Sequence, residues 1–430
     1  MSPPKVLIIG AGISGLTLAQ LLRKQGIPFE IFERDANPSA RGTGYALGLY
    51  DLEATFAGDL LPSDLPPFQT ACHLVPLPLP SQLVLYLPDG KIAKVQDTPE
   101  TPCLRVVRRK LREVLSTNVE IQWGKRAVDV AVLESDPDRG VVVVTFNDGT
   151  KARGDVLVAA DGTFSAVRPH VLGRPNKQVL RRFPAAVTSG AGIKLRGKEF
   201  ERQLELGHSA ALFSGPEKRF NFFVGLNGVN KVLVEEDEEE GPGGGKKEVL
   251  EGEYYWIMTE FDTGVMDDEA HWTKTASKKE KLERARRNVR DLARKEFGVV
   301  VEKSEVDDIS EGWSALWDAF IEEVPPVDRV VLIGDAAHPM TPLGGDGAVL
   351  AIRDSIALSK VLAKSDTADM ETMQAQLDEV QKEILKRGLE SIKISRGIST
   401  EGLGEKRKPR AWGYELSYID QVEPLPIKLT

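Results

Sequence analysis

The spacing of apolar and polar positions divides the chain into stretches of different grammar. The run KVLIIG, Lys5 to Gly10, is continuously apolar and closed by glycine, as expected of a strand buried on both faces. ISGLTLAQLLRKQG follows with helical spacing and a stop at Gly26, and FEIFER reads as a second strand, so the chain opens with a β-α-β unit. PPFQTACHLVPLPLPSQLVLYLPDGK is broken by prolines and reads as loop plus excursion strands. RVVRRKLREVLS then predicts a short basic amphipathic helix, and VVVVTFNDGT and VLVAADGT return to strand and turn.

From about Arg181 to residue 313 the pattern changes. Short alternating segments such as AAVTSGAGIKL, RFNFFVGLN and EYYWIMTEF predict an antiparallel sheet and hence a second domain. EEDEEEGPGGGKKE interrupts it as a solvated loop, and SKKEKLERARRNVRDLARKEF is a charged helix with one apolar stripe. The strand RVVLIG leads into a Gly- and Pro-rich turn and the helix AVLAIRDSIALSKVLAK. In a last long helix Met370, Met373, Leu377, Val380, Ile384 and Leu385 mark one face, which is expected to pack against the body of the protein.

Gly10, Gly12 and Gly15 form G-x-G-x-x-G at the first strand-to-helix junction. In such a fingerprint the first glycine permits the tight turn, the second lets backbone approach a pyrophosphate, and the third lets helix and sheet pack closely. Glu33 ends the second strand 18 positions after Gly15, where a carboxylate accepts from a ribose 2′-hydroxyl and repels a 2′-phosphate. That specifies the ADP half of NAD or FAD. Arg34 either flanks the adenine or is a solvated surface charge.

The late stretch LIGDAAHPMTPLGGDGA separates those two cofactors. FAD continues into a hydroxylated ribityl chain and a flat ring. Asp335, at a strand end, offers the ribityl chain a carboxylate. Pro342, Gly344, Gly345 and Gly347 turn the chain so that backbone N–H groups face the ring edge, and a helix N-terminus places partial positive charge where a reduced flavin is negative. His338, between Ala337 and Pro339, reads as a hydrogen-bonded structural residue rather than a catalytic one.

Together these stretches resemble the group A flavoprotein monooxygenases, the family of para-hydroxybenzoate and salicylate hydroxylases and of many fungal tailoring enzymes. The family's middle motif is matched by VAADGTFSAVRP, with Asp161, Gly162, Ser165 and Arg168, and its R-x-x-L-x-x-x-L by Arg108, Leu111 and Leu115. The resemblance carries a flavin role onto Glu33, Arg108, Asp161, Gly162, Asp335 and the turn Gly344–Ala348, and it extends to Thr43 and Gly44 in a loop beside the ring. Two positions depart from the family pattern, Asp346 and Val349.

The fold this implies is α/β: a Rossmann-type, glutathione-reductase-like FAD-binding domain with an inserted antiparallel-sheet substrate domain and a C-terminal helix. The expected boundaries are 1–75, 103–180 and 314–365 for the FAD domain and 76–102 and 181–313 for the substrate domain. Residues 366–430 form the C-terminal helix and tail. The resemblance also implies an activity, a monooxygenase in which NAD(P)H reduces FAD and a flavin C4a-hydroperoxide delivers one atom of O2. Its substrate would be a hydrophobic, aromatic or polycyclic small molecule of secondary metabolism. With only one dinucleotide fingerprint, NAD(P)H would dock transiently. A flavin-dependent oxidase or cyclase on the same fold is the alternative. Trp256, Tyr254 and Phe222 lie on strands beside the expected pocket, where alternation leaves open which face each takes.

Composition narrows the partners. A net charge of −9 disfavours nucleic acid and anionic membrane. Two cysteines make neither a disulfide framework nor a cysteine metal site, and the histidines lack metal-ligand spacing. No run approaches the roughly 18 apolar residues of a membrane span, and the first residues enter a motif directly, so a cytoplasmic protein is expected.

Overall fold

The structure, a computed structural model, describes residues 2–40, 45–51, 60–133, 142–235, 246–262, 264, 271–311, 315–322, 325, 329–400 and 410–427. Thr43, Gly44 and residues 236–245 of the acidic run lie outside the described residues.

The apolar runs become strands in the expected order: β1 (Val6–Ile9), β2 (Phe29–Glu33), β3 (Ala46–Tyr50), β4 (Gln82–Tyr86), β5 (Ile92–Gln96), β6 (Cys103–Val107) and β7 (Ile121–Trp123). A small antiparallel sheet follows from β8 (Ala127–Val132), β9 (Val142–Phe146) and β10 (Lys151–Gly154), then β11 (Val156–Ala159). The second half supplies β12 (Leu180–Arg196), β13 (Ala210–Ser214), β14 (Phe220–Glu235), β15 (Lys246–Phe261), β16 (Ala315–Ala319) and β17 (Val330–Leu332). Three short strands end the chain: β18 (Arg410–Ala411), β19 (Tyr414–Glu415) and β20 (Ser417–Ile419).

Two large sheets result. The first is all parallel, in the order β17-β11-β1-β2-β7, and β1, β11 and β17 are wholly buried. Burial on both faces is why these strands read as unbroken apolar runs. The second has eight strands, β16-β12-β15-β14-β13-β4-β5-β20. It is antiparallel except where β13 runs parallel to β4, a register that joins the excursion strands to the alternating segments. β16 and β20 complete its two edges, although the sequence reading puts one with the cofactor segments and the other in the tail.

One predicted helix starts late. Cys103–Val107 is a strand paired with β3, and the helix begins only at Arg108. Valines at 106 and 107 favour the pleated surface over a helical turn. The long helix Met370–Thr400 docks as its stripe requires, with Met373, Leu377, Val380, Ile384 and Leu385 in the main core. No helix among the described residues is long and apolar enough to cross a membrane.

Candidate active site

The late turn is assembled on the first. β17 lies beside β11 and β11 beside β1, so the strand ends carrying the three motifs emerge together. Ala160 N–H donates to the Ile9 carbonyl at 2.8 Å, Ile333 N–H to Ala159 at 3.0 Å, and Ser355 Oγ to Ser14 at 2.9 Å. A Cβ at Gly15 would sit 2.0 Å from the Gly10 carbonyl oxygen, and one at Gly10 would sit 2.4 Å from that of Ala160. These two glycines therefore set the close approach of turn, helix and sheet. Gly12 is different, since the nearest atom to a Cβ there is 4.0 Å away.

A cavity of about 1590 Å³ opens at this junction. Gly12, Arg108, Gly162, Asp335, Pro342, Gly344, Gly345, Gly347 and Ala348 all line it. Gly10, Gly15, Glu33, Arg34 and Asp161 fall outside its lining, and the side chain of Arg34 is exposed. Glu33 is buried, with one carboxylate oxygen accepting from Ala11 N–H at 2.8 Å and the other from Asp35 N–H at 3.0 Å. It thus holds the glycine turn as well as presenting charge to it. Glu33→Ala leaves the Ala11 donor unpaired and is expected to destabilise the protein by about 1–3 kcal/mol in denaturant unfolding. Glu33→Gln, which keeps an acceptor, should lose less.

The middle motif acts through Arg168, which is fully buried. Its guanidinium donates to the carbonyls of Ala336 and Asp335 at 2.7 Å each, to that of Thr163 at 2.9 Å and to Asn176 Oδ1 at 2.8 Å. It therefore ties the middle motif to the late one. Burial pulls its pKa down to about 10, against the pull of Asp161 and Asp335. The side chain of Asp335 stands exposed, contacted by Thr163 Oγ1 at 3.2 Å. Asp161 accepts from Ala166 N–H at 2.7 Å; burial pushes its carboxyl up, opposed by hydrogen bonds from Ser165 and Ala166.

His338 is a strut. Its Nε2 donates to Asp354 Oδ2 at 2.6 Å, and Asp354 also accepts from Gly334 N–H at 2.9 Å and Arg387 Nη2 at 2.9 Å. Burial opposes charge on the imidazole, but Asp354 outweighs it and the pKa is raised. A raised folded-state pKa means that the pair's stabilisation is complete below the unfolded value near 6.5 and fades as pH rises through the folded value. The melting temperature is expected to fall as pH rises above that unfolded value and through the folded one, and less so in His338→Gln, as thermal unfolding at a series of pH values would measure.

Asp346 points away from the cavity. It accepts from Tyr50 Oη and, at 2.8 Å, from Ser391 Oγ of the long helix. It therefore leaves the N-terminus of the helix Gly347–Leu362 without a side-chain cap, so the first N–H groups of that helix stay available at the cavity. The sheet wall of the cavity is built from Leu83, Leu85, Leu212, Phe223, Tyr255 and Ile257. Phe222, Tyr254 and Trp256, one position away on the same strands, face the second core instead.

Three contributors were missed by reading the sequence. Arg112 Nε donates to the Ala11 carbonyl at 3.1 Å; its signal was the i, i+4 spacing from Arg108. Ala411, Trp412 and Tyr418 bring the tail back to the cavity, a return that no local pattern announces. Arg105, read as helical, is buried on β6 and lines the cavity.

These features fit FAD. The volume exceeds the ~300–1,000 Å³ of an ordinary small-molecule site, so a dinucleotide and a second molecule can share it. Gly12 opens onto it at an uncapped helix N-terminus, suited to a pyrophosphate. The exposed carboxylate of Asp335 and the uncapped helix after Gly345 supply the acceptor and the donors that a ribityl chain and ring edge require.

Comparison with known proteins agrees. The family described as FAD binding domain matches residues 265–385, and the NAD(P)-binding Rossmann-like domain matches residues 8–57, the segment for the ADP half common to both cofactors. The FAD-dependent monooxygenase thnD of Trichoderma harzianum is 38% identical over 397 residues, covering 91% of this chain and 92% of the relative. The FAD-dependent monooxygenase phnB of Penicillium herquei is 28% identical, covering 91% and 89%. Among solved structures, Klebsiella pneumoniae HpxO complexed with FAD and uric acid shares the fold with a TM-score of 0.66 at 20% identity, covering 94% and 89%. The geometry of the junction and this relatedness over nearly the whole length lead to one assignment: the chain belongs to the FAD-dependent monooxygenases.

Proposed function

We propose that this enzyme uses NAD(P)H and O2 to insert one oxygen atom into a hydrophobic, aromatic or polycyclic small molecule, as a tailoring step of fungal secondary metabolism. The observation that carries the reading is the cavity itself, polar and glycine-lined at one end and walled by an apolar sheet at the other. The fungal relatives named as FAD-dependent monooxygenases support the setting.

In this reading Gly12 and the N-terminus of the first helix hold the pyrophosphate, Glu33 and Arg34 border the ribose and adenine, and Arg108 and Asp161 support the junction. Asp335 takes the ribityl hydroxyls and Pro342 to Ala348 border the ring, a role that the family resemblance extends to Thr43 and Gly44. Bound FAD, once reduced by the nicotinamide cofactor, supplies activated oxygen. The protein's own part is to orient the substrate against the ring, exclude water with the apolar wall, and place the positive end of the helix Gly347–Leu362 near developing negative charge. The division into cofactor segments 1–75, 103–180 and 314–365 and a substrate sheet belongs to the same proposal.

The test is direct. Purified protein should be yellow, and a substrate should stimulate NAD(P)H oxidation with label from isotopic O2 appearing in the product. Substrate oxidation without label would replace this reading by the oxidase alternative.

A further inference from the structure

Asp346 sits in the turn that borders the ring, yet its carboxylate is kept out of the cavity. Gly344, Gly345, Gly347 and Ala348 line that cavity and Asp346 does not. It stands immediately before the helix Gly347–Leu362, where a carboxylate ordinarily accepts from the first N–H groups and offsets the positive end of the helix. Here it makes no such bond. Each of its oxygens accepts instead from a hydroxyl on a distant element. Oδ1 accepts from Tyr50 Oη at the end of β3, and Oδ2 from Ser391 Oγ on the long helix at 2.8 Å.

Both donors are buried. The tail closes over Tyr50: Tyr414 meets its ring edge to face with centroids 6.0 Å apart, and a Cβ at Gly413 would overlap it. Tyr414 is itself tied down, its Oη donating to the Pro102 carbonyl at 3.0 Å. A phenol packed in this way has already given up its rotamer freedom, so it holds the carboxylate at little further entropic cost.

We propose that Tyr50 and Ser391 are positioning residues that hold the Asp346 carboxylate off the end of the helix Gly347–Leu362. The hold keeps the positive field of that helix directed at the ring and so sets the preference of the site for reduced over oxidised flavin. A freed carboxylate would turn to the helix N–H groups, satisfy them, and cancel part of the field. The inference rests on the reading of Pro342 to Ala348 as the border of the ring.

The test uses the purified holoenzyme, reduced at equilibrium against a dye of known potential. Tyr50→Phe combined with Ser391→Ala should lower the preference for reduced flavin by about threefold to tenfold. For a two-electron couple that moves the potential about 15–30 mV more negative. In an Asp346→Ala background the same two changes should leave the potential where Asp346→Ala alone puts it. An unmoved potential in the double variant would overturn the hold. So would an equal drop in the Asp346→Ala background, because the effect would then be a general disturbance of the site. If the double variant does not fold, Ser391→Ala alone should give part of the drop, and no drop would count against the hold. Failure of the wild type to retain flavin would overturn the placement of the ring as well, whereas retained flavin with an unmoved potential overturns the hold alone.

Discussion

Asp335→Ala is expected to purify as a stable, nearly colourless protein. Its carboxylate is exposed at the cavity and makes one long contact, to Thr163 Oγ1 at 3.2 Å, so its removal leaves no buried group unpaired. The backbone of residue 335 remains held by Arg168. The loss falls on the cofactor: each hydrogen bond to a charged group contributes about 1.5–3 kcal/mol, or roughly ten- to hundredfold in affinity. The ratio of flavin to protein absorbance after purification measures it. The melting temperature should drop to a little below that of wild-type protein stripped of FAD, because the variant loses ligand stabilisation together with the attraction of Asp335 for the buried Arg168. Stoichiometric flavin in Asp335→Ala would refute the place given to the late turn.

Arg168→Met should fail in the opposite way. The guanidinium is the shared donor for the carbonyls of Thr163, Asp335 and Ala336, and methionine fills much of its volume with no donor at all. Several buried acceptors are stranded together, with Asp161 and Asp335 left without their nearby cation, so a loss of about 3–5 kcal/mol is expected. Denaturant unfolding of the apoprotein reads this apart from any cofactor effect. Flavin content should fall as well, because the middle and late motifs are no longer pinned together. A variant as stable as wild type would show that the clasp is redundant.

The two variants separate roles that look alike in the sequence. Asp335 and Arg168 are both charged residues in the cofactor motifs, but one faces the cavity and the other is buried behind it. The three motifs were legible because each is written in local backbone requirements: glycine where a Cβ would meet a carbonyl, a carboxylate at a strand end, a helix starting after a turn. The orientation of Asp346 was not legible, because it depends on Tyr50 and Ser391, hundreds and tens of residues away in the chain. Which strand residues face the pocket was left open by alternation. Phe223 and Tyr255 line the cavity where Phe222, Tyr254 and Trp256 do not, and on a strand one residue of register exchanges the faces.

By itself the sequence determined the β-α-β opening, the order of the three motifs and the apolar stripe of the last helix, since all of these follow from periodicity and from what glycine and aspartate allow a backbone to do. Tertiary structure decided the rest. It put Arg105 on a strand rather than a helix, gave Glu33 a turn to hold, and returned the tail to the cavity as an edge strand of the large sheet. Those outcomes turn on which distant segment a strand or side chain meets, and the free energy of that meeting is absent from any local window of residues.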